Sequence, residues 1–380
     1  MDATLAASLR ARDTAGLRRT LRPAPAPGTL HGFASNDYLG LAAHPALVEA
    51  AARAARDFGA GATAARLIGG SLPPHHALED ALAAWKRTEA ALAFGSGYAT
   101  ALGVIPALVG RGDFVVLDRL AHACCVDGVR LSGATLRVFR HNDPADLDRL
   151  LTLVRRDHGG ARVLVVTEGV FSMDGDRAPL AELIAVKDRH GAWLMLDEAH
   201  AVGVFGPRGG GLAEELGPGP HVEVRMGTLG KAVGAAGGYV AGSHVLVDHL
   251  VNHARSFLFS TAPVPAAAAA AAAGVELIQS AEGAARRARL RENIRALRAA
   301  LRRPDDPAAS AIAVWPVGEA AAATTLAEAL RDRGIFVPAI RYPTVKRGAA
   351  RLRFTATAAH TADDFAALAA ALAQTLFPIS

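Results

Sequence analysis

Between residues 90 and 241 short apolar runs alternate with helix-period segments, and no other feature so narrows the folds open to this chain. The candidate strands are 90–94, 114–117, 136–139, 163–167, 193–196, 223–226 and 239–241, with helical patterns between most of them, for instance 144–156 and 181–189. Such alternation is the signature of an α/β fold, a mostly parallel sheet covered by helices. A helix at 47–58, with Pro45 near its first turn, precedes this region, and a long alanine- and arginine-rich helix pair, 265–279 and 283–302, follows it. Pro304-Asp305-Asp306-Pro307 then breaks the chain. The last stretch reads strand, helix, strand, strand, helix over 312–317, 320–333, 335–338, 351–355 and 363–376, which predicts a smaller α+β domain. The expected division is an N-terminal segment 1–46, a large domain 47–280 and a small domain 281–380, without internal repeats.

The ends of the candidate strands carry the chemistry. The strand at 193–196 runs into Asp197-Glu198-Ala199-His200, and the next delivers Thr228 and Lys231 inside Gly227-Thr228-Leu229-Gly230-Lys231. A lysine amine that forms a Schiff base and a carboxylate that keeps a pyridine nitrogen protonated are what pyridoxal phosphate chemistry requires. A hydroxyl beside the lysine suits the cofactor phosphate. The strand at 90–94 ends in Gly95-Ser96-Gly97-Tyr98 just before a helix, where backbone N–H groups make an anion site. His122 follows another strand and suits stacking on a pyridine ring, although helix capping explains it equally well. Ser172, in Thr167-Glu168-Gly169-Val170-Phe171-Ser172, stands within reach of a cofactor, while Asp174 to Asp176 reads as a turn. Ser260-Thr261, read as following a short apolar strand and preceding a proline-started helix, is another candidate phosphate contact.

Composition bounds the rest. The chain has 380 residues, 51% hydrophobic and 20% charged, enough for a large core and more than one lobe. A net charge of +5 reads mainly as a solvated basic face, and otherwise as a surface for an acidic partner such as a phosphorylated thioester or an acidic carrier protein. No basic run is interleaved with aromatics, which argues against nucleic acid. The adjacent pair Cys124-Cys125 fits a reducing cytosol and core packing; its spacing matches no common metal site, so no metal is expected. No apolar signal core stands at the N-terminus, and the run 257–275 is broken by two prolines, which favours a buried helix over a membrane span. Gly59-Ala60-Gly61-Ala62-Thr63-Ala64 matches a dinucleotide fingerprint but follows a helix where a strand is needed. Gly227 to Lys231 fails as a nucleotide loop, because Ala232 replaces the required hydroxyl.

With Ser35-Asn36-Asp37-Tyr38-Leu39-Gly40-Leu41, the segment from Thr167 to Asp176, Asp197-Glu198-Ala199-His200 and Gly227-Thr228-Leu229-Gly230-Lys231, the chain resembles the α-oxoamine synthases, pyridoxal phosphate enzymes of fold type I. The resemblance runs from about residue 15 to about residue 375. It implies Lys231 as the Schiff-base lysine that later moves the α-proton, Asp197 on the pyridinium nitrogen, His200 on the ring hydroxyl and His122 stacked on the ring and near substrate. It implies Ser172, Thr228 and the Gly97–Tyr98 backbone as further cofactor contacts, with Ser260 and Thr261 reaching the phosphate of the neighbouring subunit in a homodimer. Arg353 and Asn36 would meet the amino acid carboxylate, and Arg18 and Thr344 the acyl-derived part. His141-Asn142-Asp143, Ile340-Arg341-Tyr342-Pro343-Thr344-Val345 and Ala350-Arg351-Leu352-Arg353 favour the branch that condenses L-alanine with a pimeloyl thioester of CoA or a carrier protein in the cytoplasm. Glycine- and serine-using relatives share the cofactor site. A non-catalytic binding protein on the same fold is disfavoured, since every expected polar position is present. One departure stands out: Ala64, Ala65 and Gly69 replace small glycine and serine positions of the family's usual loop before His75-His76, which bears on substrate preference.

Overall fold

A computed structural model describes residues 1–21, 23, 28–217 and 222–375. The chain divides into two compact units, one of residues 37–172 and 176–289, the other of residues 1–36, 173–175 and 290–380.

The larger unit is built on a seven-stranded sheet. From one edge its order is Ala90–Phe94, Gly238–Gly242, Val224–Thr228, Trp193–Asp197, Val163–Glu168, Phe114–Asp118 and Thr135–Phe139. Only Gly238–Gly242 runs antiparallel to its neighbours, so six strands share one direction and the sheet is mostly parallel, as expected. Both faces are covered. Phe114, Val116, Val165, Leu194 and Leu196 enter one apolar cluster, while their sequence neighbours Val115, Leu117, Leu164, Val166 and Met195 enter the other. Period-two geometry therefore sends alternate side chains of an uninterrupted apolar run into two cores. Each fully buried aliphatic side chain contributes about 1.5–3 kcal/mol.

The crossover helices start where the chain supplies caps. Asp143 Oδ1 accepts the Asp146 N–H at 2.9 Å, with Pro144 opening helix Pro144–Asp157. Helix Pro45–Phe58 starts in the same way, with a His44 ring nitrogen accepting the Ala46 N–H at 3.2 Å. The run 257–275 resolves into a short helix Arg255–Leu258 and the helix Pro265–Gln279, whose inner face includes Ala268, Ala271, Gly274 and Val275. Ser260-Thr261 therefore follows a helical turn, not the strand expected, because a short apolar run does not by itself separate the two. None of the helices among the described residues is long and apolar enough to cross a membrane. Helix Pro73–Lys86, for which the sequence reading made no provision, precedes the first strand. Arg66, in the wide turn Arg66–Gly70, clamps that turn to this helix through two hydrogen bonds to Glu79, at 2.8 and 2.9 Å.

The smaller unit holds the antiparallel sheet Ala339–Ile340, Ala350–Thr355, Ile312–Gly318, with helices Ala320–Arg331 and Ala362–Thr375. The single strand expected at 335–338 is two. Ile335–Phe336 pairs in parallel with His31–Gly32, and Ala339–Ile340 pairs with Ala350–Thr355. Pro338 stands at the change of partner, where its missing N–H cannot continue a ladder, and its carbonyl accepts the Arg353 N–H at 3.2 Å. The expected last helix ran to 376, and that position lies outside the described residues.

Candidate active site

In an open parallel sheet, ligand-binding residues collect at the carboxyl ends of the strands. Here that edge carries Gly95–Gly97 after Ala90–Phe94, His122 after Phe114–Asp118, Glu168 and Ser172 after Val163–Glu168, Asp197 and His200 after Trp193–Asp197, and Thr228 and Lys231 after Val224–Thr228.

Lys231 Nζ lies 2.8 Å from His200 Nε2, and the other ring nitrogen of His200 lies 2.5 Å from the Tyr38 hydroxyl. Tyr38 is fully buried, so its hydroxyl orients the imidazole from inside the protein. Whichever tautomer His200 adopts, one nitrogen donates and the other accepts, and a continuous hydrogen-bond path joins Tyr38 to the lysine amine.

Asp197 is buried and accepts the Ala199 N–H at 2.9 Å. Burial pushes its carboxyl up, against the opposing pull of the Lys231 charge and the Ala199 N–H. Glu168 stands beside it in register on the neighbouring strand. Burial first, then the Asp197 charge, holds the Glu168 carboxyl well above the usual range. It accepts the backbone N–H of His122, while its Oε1 has no hydrogen-bond partner among the described residues.

His122 caps helix Ala123–Ser132: its Nδ1 lies 3.2 Å from the Cys124 N–H and 3.0 Å from Cys124 Sγ. The capping role weighed from sequence is thus present, and the ring also lies edge-to-face with Tyr98 at 6.4 Å. The fold brings the Asp197 carboxylate to the cysteine pair, a juxtaposition that spacing along the chain does not display.

The turn after Ala90–Phe94 opens a helix, as expected of it. Ser96 Oγ accepts the Ala99 N–H at 3.0 Å at the start of helix Gly97–Leu108. A Cβ at Gly238 would come within 2.5 Å of the Gly97 nitrogen, so only glycine lets these two backbones approach. Thr228 Oγ1 donates to the Gly237 carbonyl at 3.1 Å and accepts from the Gly230 N–H at 3.3 Å. Ser260 and Thr261 are exposed, and the Thr261 backbone pairs with Ala65, which ties them to the altered glycine-poor loop.

Within the smaller unit Arg353 is buried and donates to Asn36 Oδ1 at 3.2 and 3.3 Å, so the fold brings together the two side chains expected to meet the amino acid carboxylate. Arg18 is held by Asp13 at 2.7 Å and lines a cavity of about 530 Å³ with Thr324, Phe336 and Arg341. Thr344 accepts a hydrogen bond from Arg19 at 3.1 Å.

This donor set fits pyridoxal phosphate. It offers an amine, a buried carboxylate at the adjacent strand end, two imidazoles, and a helix N-terminus with neighbouring hydroxyls for a phosphate. Sequence reasoning passed over Tyr38, Glu168 and Cys124; the first two lie inside the quoted family strings and the third beside His122, but their partners become visible only with the fold.

The sequence pattern of the class I and II aminotransferases matches residues 29–372. An 8-amino-7-oxononanoate synthase of Anaeromyxobacter dehalogenans (strain 2CP-1) is 52% identical over 384 residues, covering 98% of this chain and 95% of that protein. Among solved structures, serine palmitoyltransferase from S. paucimobilis, with PLP and myriocin bound, superposes with a TM-score of 0.89 at 30% identity, covering 98% of this chain and 97% of that one. The 8-amino-7-oxononanoate synthase of Francisella tularensis does so with a TM-score of 0.75 at 26% identity, covering 92% and 98%. The chain belongs to the class I and II aminotransferase family and, within it, to the α-oxoamine synthases of fold type I.

Proposed function

We propose that this chain condenses L-alanine with a pimeloyl thioester, releasing CO2 and free thiol and giving 8-amino-7-oxononanoate for biotin synthesis. The observation that carries this reading is the hydrogen-bonded Lys231–His200 pair at adjacent strand ends, with the Asp197 charge acting on the lysine, in a chain half identical to enzymes of that name. Pyridoxal phosphate is the cofactor and, when bound, takes up the electron pair released as the amino acid loses its Cα proton.

The remaining work falls to the chain's own groups. Lys231 anchors the cofactor and then moves the Cα proton, for which an amine must stand within about 3 Å. Tyr38 and His200 hold that amine in line. Asp197 keeps the ring nitrogen protonated, and Glu168 beside it fixes the His122 backbone. His122 would stack on the ring, close to the substrate. The Gly97–Tyr98 backbone, Ser172 and Thr228 hold the cofactor; Arg353 and Asn36 take the amino acid carboxylate; Arg18 and Thr344 take the acyl part. Ser260 and Thr261 are assigned to the partner's phosphate in a homodimer. In support, Leu67, Ile68, Phe259 and Val264, which are 56%, 84%, 72% and 45% exposed, surround them in sequence or through the Ala65–Thr261 pairing. Exposed apolar groups of this kind mark interaction surfaces.

The test is a titration of cofactor-loaded protein with L-alanine, glycine and L-serine, followed by cofactor absorbance, and then addition of pimeloyl-CoA with assay of free thiol. Alanine alone should perturb the absorbance and support thiol release. Release with glycine or serine but not alanine would keep the family and overturn the substrate.

A further inference from the structure

The Cys124-Cys125 pair has no part in the reaction as described, yet it lies against the cofactor site. Cys124 Sγ stands 3.0 Å from His122 Nδ1 and 4.0 Å from Cys125 Sγ, and both thiols are buried. His122 itself is exposed, so the sulfur holds the imidazole from its inner side. The Cys124 backbone N–H meets the same nitrogen at 3.2 Å. Two contacts on one ring nitrogen leave Nε2 to carry the proton of the neutral ring and to face outward.

We propose that Cys124 is a positioning residue for His122: its sulfur fixes the rotation of the imidazole and shares a proton with Nδ1, so thiol and ring act as one acid–base unit. The groups bearing on the ring agree with that. The Cys124 hydrogen bond raises the His122 imidazole, burial opposes it, the Asp197 charge adds to it and the Lys231 charge subtracts. Tyr98 contributes an aromatic edge, and Glu168 accepts the backbone N–H. On the sulfur side, Cys125 foremost and His122 next pull the Cys124 thiol down to about 6, against its burial and the neighbouring Asp197 charge. A thiol beside an imidazole is the arrangement that yields a thiolate near neutral pH. In the ionised pair the proton moves from Sγ to Nδ1, which then gives up the Cys124 N–H it accepts in the neutral ring, and the imidazolium offers a charged Nε2–H to the carbonyl of the acyl group; the S–H and N–H are the only covalent bonds that change.

The proposal rests on the reaction above only in its kinetic arm. In the full-length protein with cofactor bound, the ultraviolet absorbance of thiolate is followed against pH. A titration near pH 6 is expected, absent from Cys124→Ser and displaced upward in His122→Asn. Thiolate that forms only in the ordinary alkaline range, or a midpoint indifferent to His122→Asn, overturns it. In turnover, Cys124→Ser should move the alkaline limb of kcat down by about one pH unit with KM for L-alanine little changed. An unmoved limb would also overturn it. A protein that shows the thiolate but does not turn over alanine would sink the proposed reaction and leave the pair standing.

Discussion

His141 lies with its ring nitrogens 2.9 Å from Asp118 Oδ1 and 2.6 Å from Asp176 Oδ2, edge-on to Phe171 at 4.4 Å. Burial opposes charge on this imidazole, but the two carboxylates outweigh it and hold the group at about 10. Asn142 Nδ2 adds a hydrogen bond to Asp176 at 2.8 Å, so the segment that carries Ser172 is pinned at its far end. An unfolded histidine titrates near 6.5, well below the folded value of about 10. The stability the imidazolium contributes is therefore fully present below pH 6.5 and drains away as pH rises toward 10. His141→Asn, which cannot carry charge, should cost about 3 kcal/mol at pH 6, because it leaves the buried Asp118 carboxylate without its cation. Urea unfolding of both proteins at pH 6 and at pH 9.5 checks this. The gap between them should narrow at the higher pH, and a gap independent of pH would refute the charge assignment.

Helix Pro265–Gln279 supports the lysine loop from behind, and a single glycine sets the distance. A Cβ at Gly274 would stand 2.4 Å from the Val233 carbonyl oxygen and 2.9 Å from Val233 Cγ1. Val233 follows Lys231 by two residues, and the Lys231 carbonyl accepts the Gly234 N–H at 2.9 Å, so the loop has little room to yield. Helix propensity alone would make Gly274→Ala stabilising by about 1 kcal/mol. The backbone clash should reverse the sign, to a loss of about 1–3 kcal/mol with weaker cofactor retention. Thermal melting and the cofactor content after dialysis decide between them, and a raised melting temperature would refute the clash. At this scale the sequence was most readable where apolar runs and start signals agreed: this helix falls where its proline and alanine run place it, and each strand of the seven-stranded sheet coincides with an apolar run to within a residue or two. It misled at Arg255–Leu258 and at Ile335–Phe336, because a short apolar run does not choose between helix and strand or name its partner. The same division holds in the site. Lys231, Asp197 and His200 were legible as polar residues at strand ends. Tyr38 against His200, Glu168 under His122 and Cys124 against its ring depend on register and burial, which spacing does not carry.

At the scale of the whole molecule the proposal that matters most is the homodimer, because it assigns Ser260 and Thr261 to the site of the partner subunit. Both are exposed, and the backbone just beyond them is fastened to the loop at Ala64 by the Ala262 N–H at 3.0 Å. A Cβ at Gly70 would fall 2.0 Å from the Ala64 carbonyl oxygen, so only glycine fits this turn, in which Leu67 and Ile68 are exposed. A surface that apolar suits a two-fold contact with its own copy, in which each subunit lends the same residues to the other. Two inactive variants separate this arrangement from one in which the hydroxyls serve their own chain. Lys231→Ala removes the reacting amine, and Thr261→Asp places a carboxylate where the phosphate would lie. Co-expressed, they form hybrids in which one subunit keeps the lysine and the other keeps the hydroxyl. If the hydroxyl acts across the interface, each hybrid has one intact site, and the mixture should recover about a quarter of normal turnover. If it acts within its own chain, each hybrid has none. Recovery above the level of either parent variant, in a mixture shown by differential tagging to contain hybrids, supports the shared site; activity that stays at background in such a mixture rules it out.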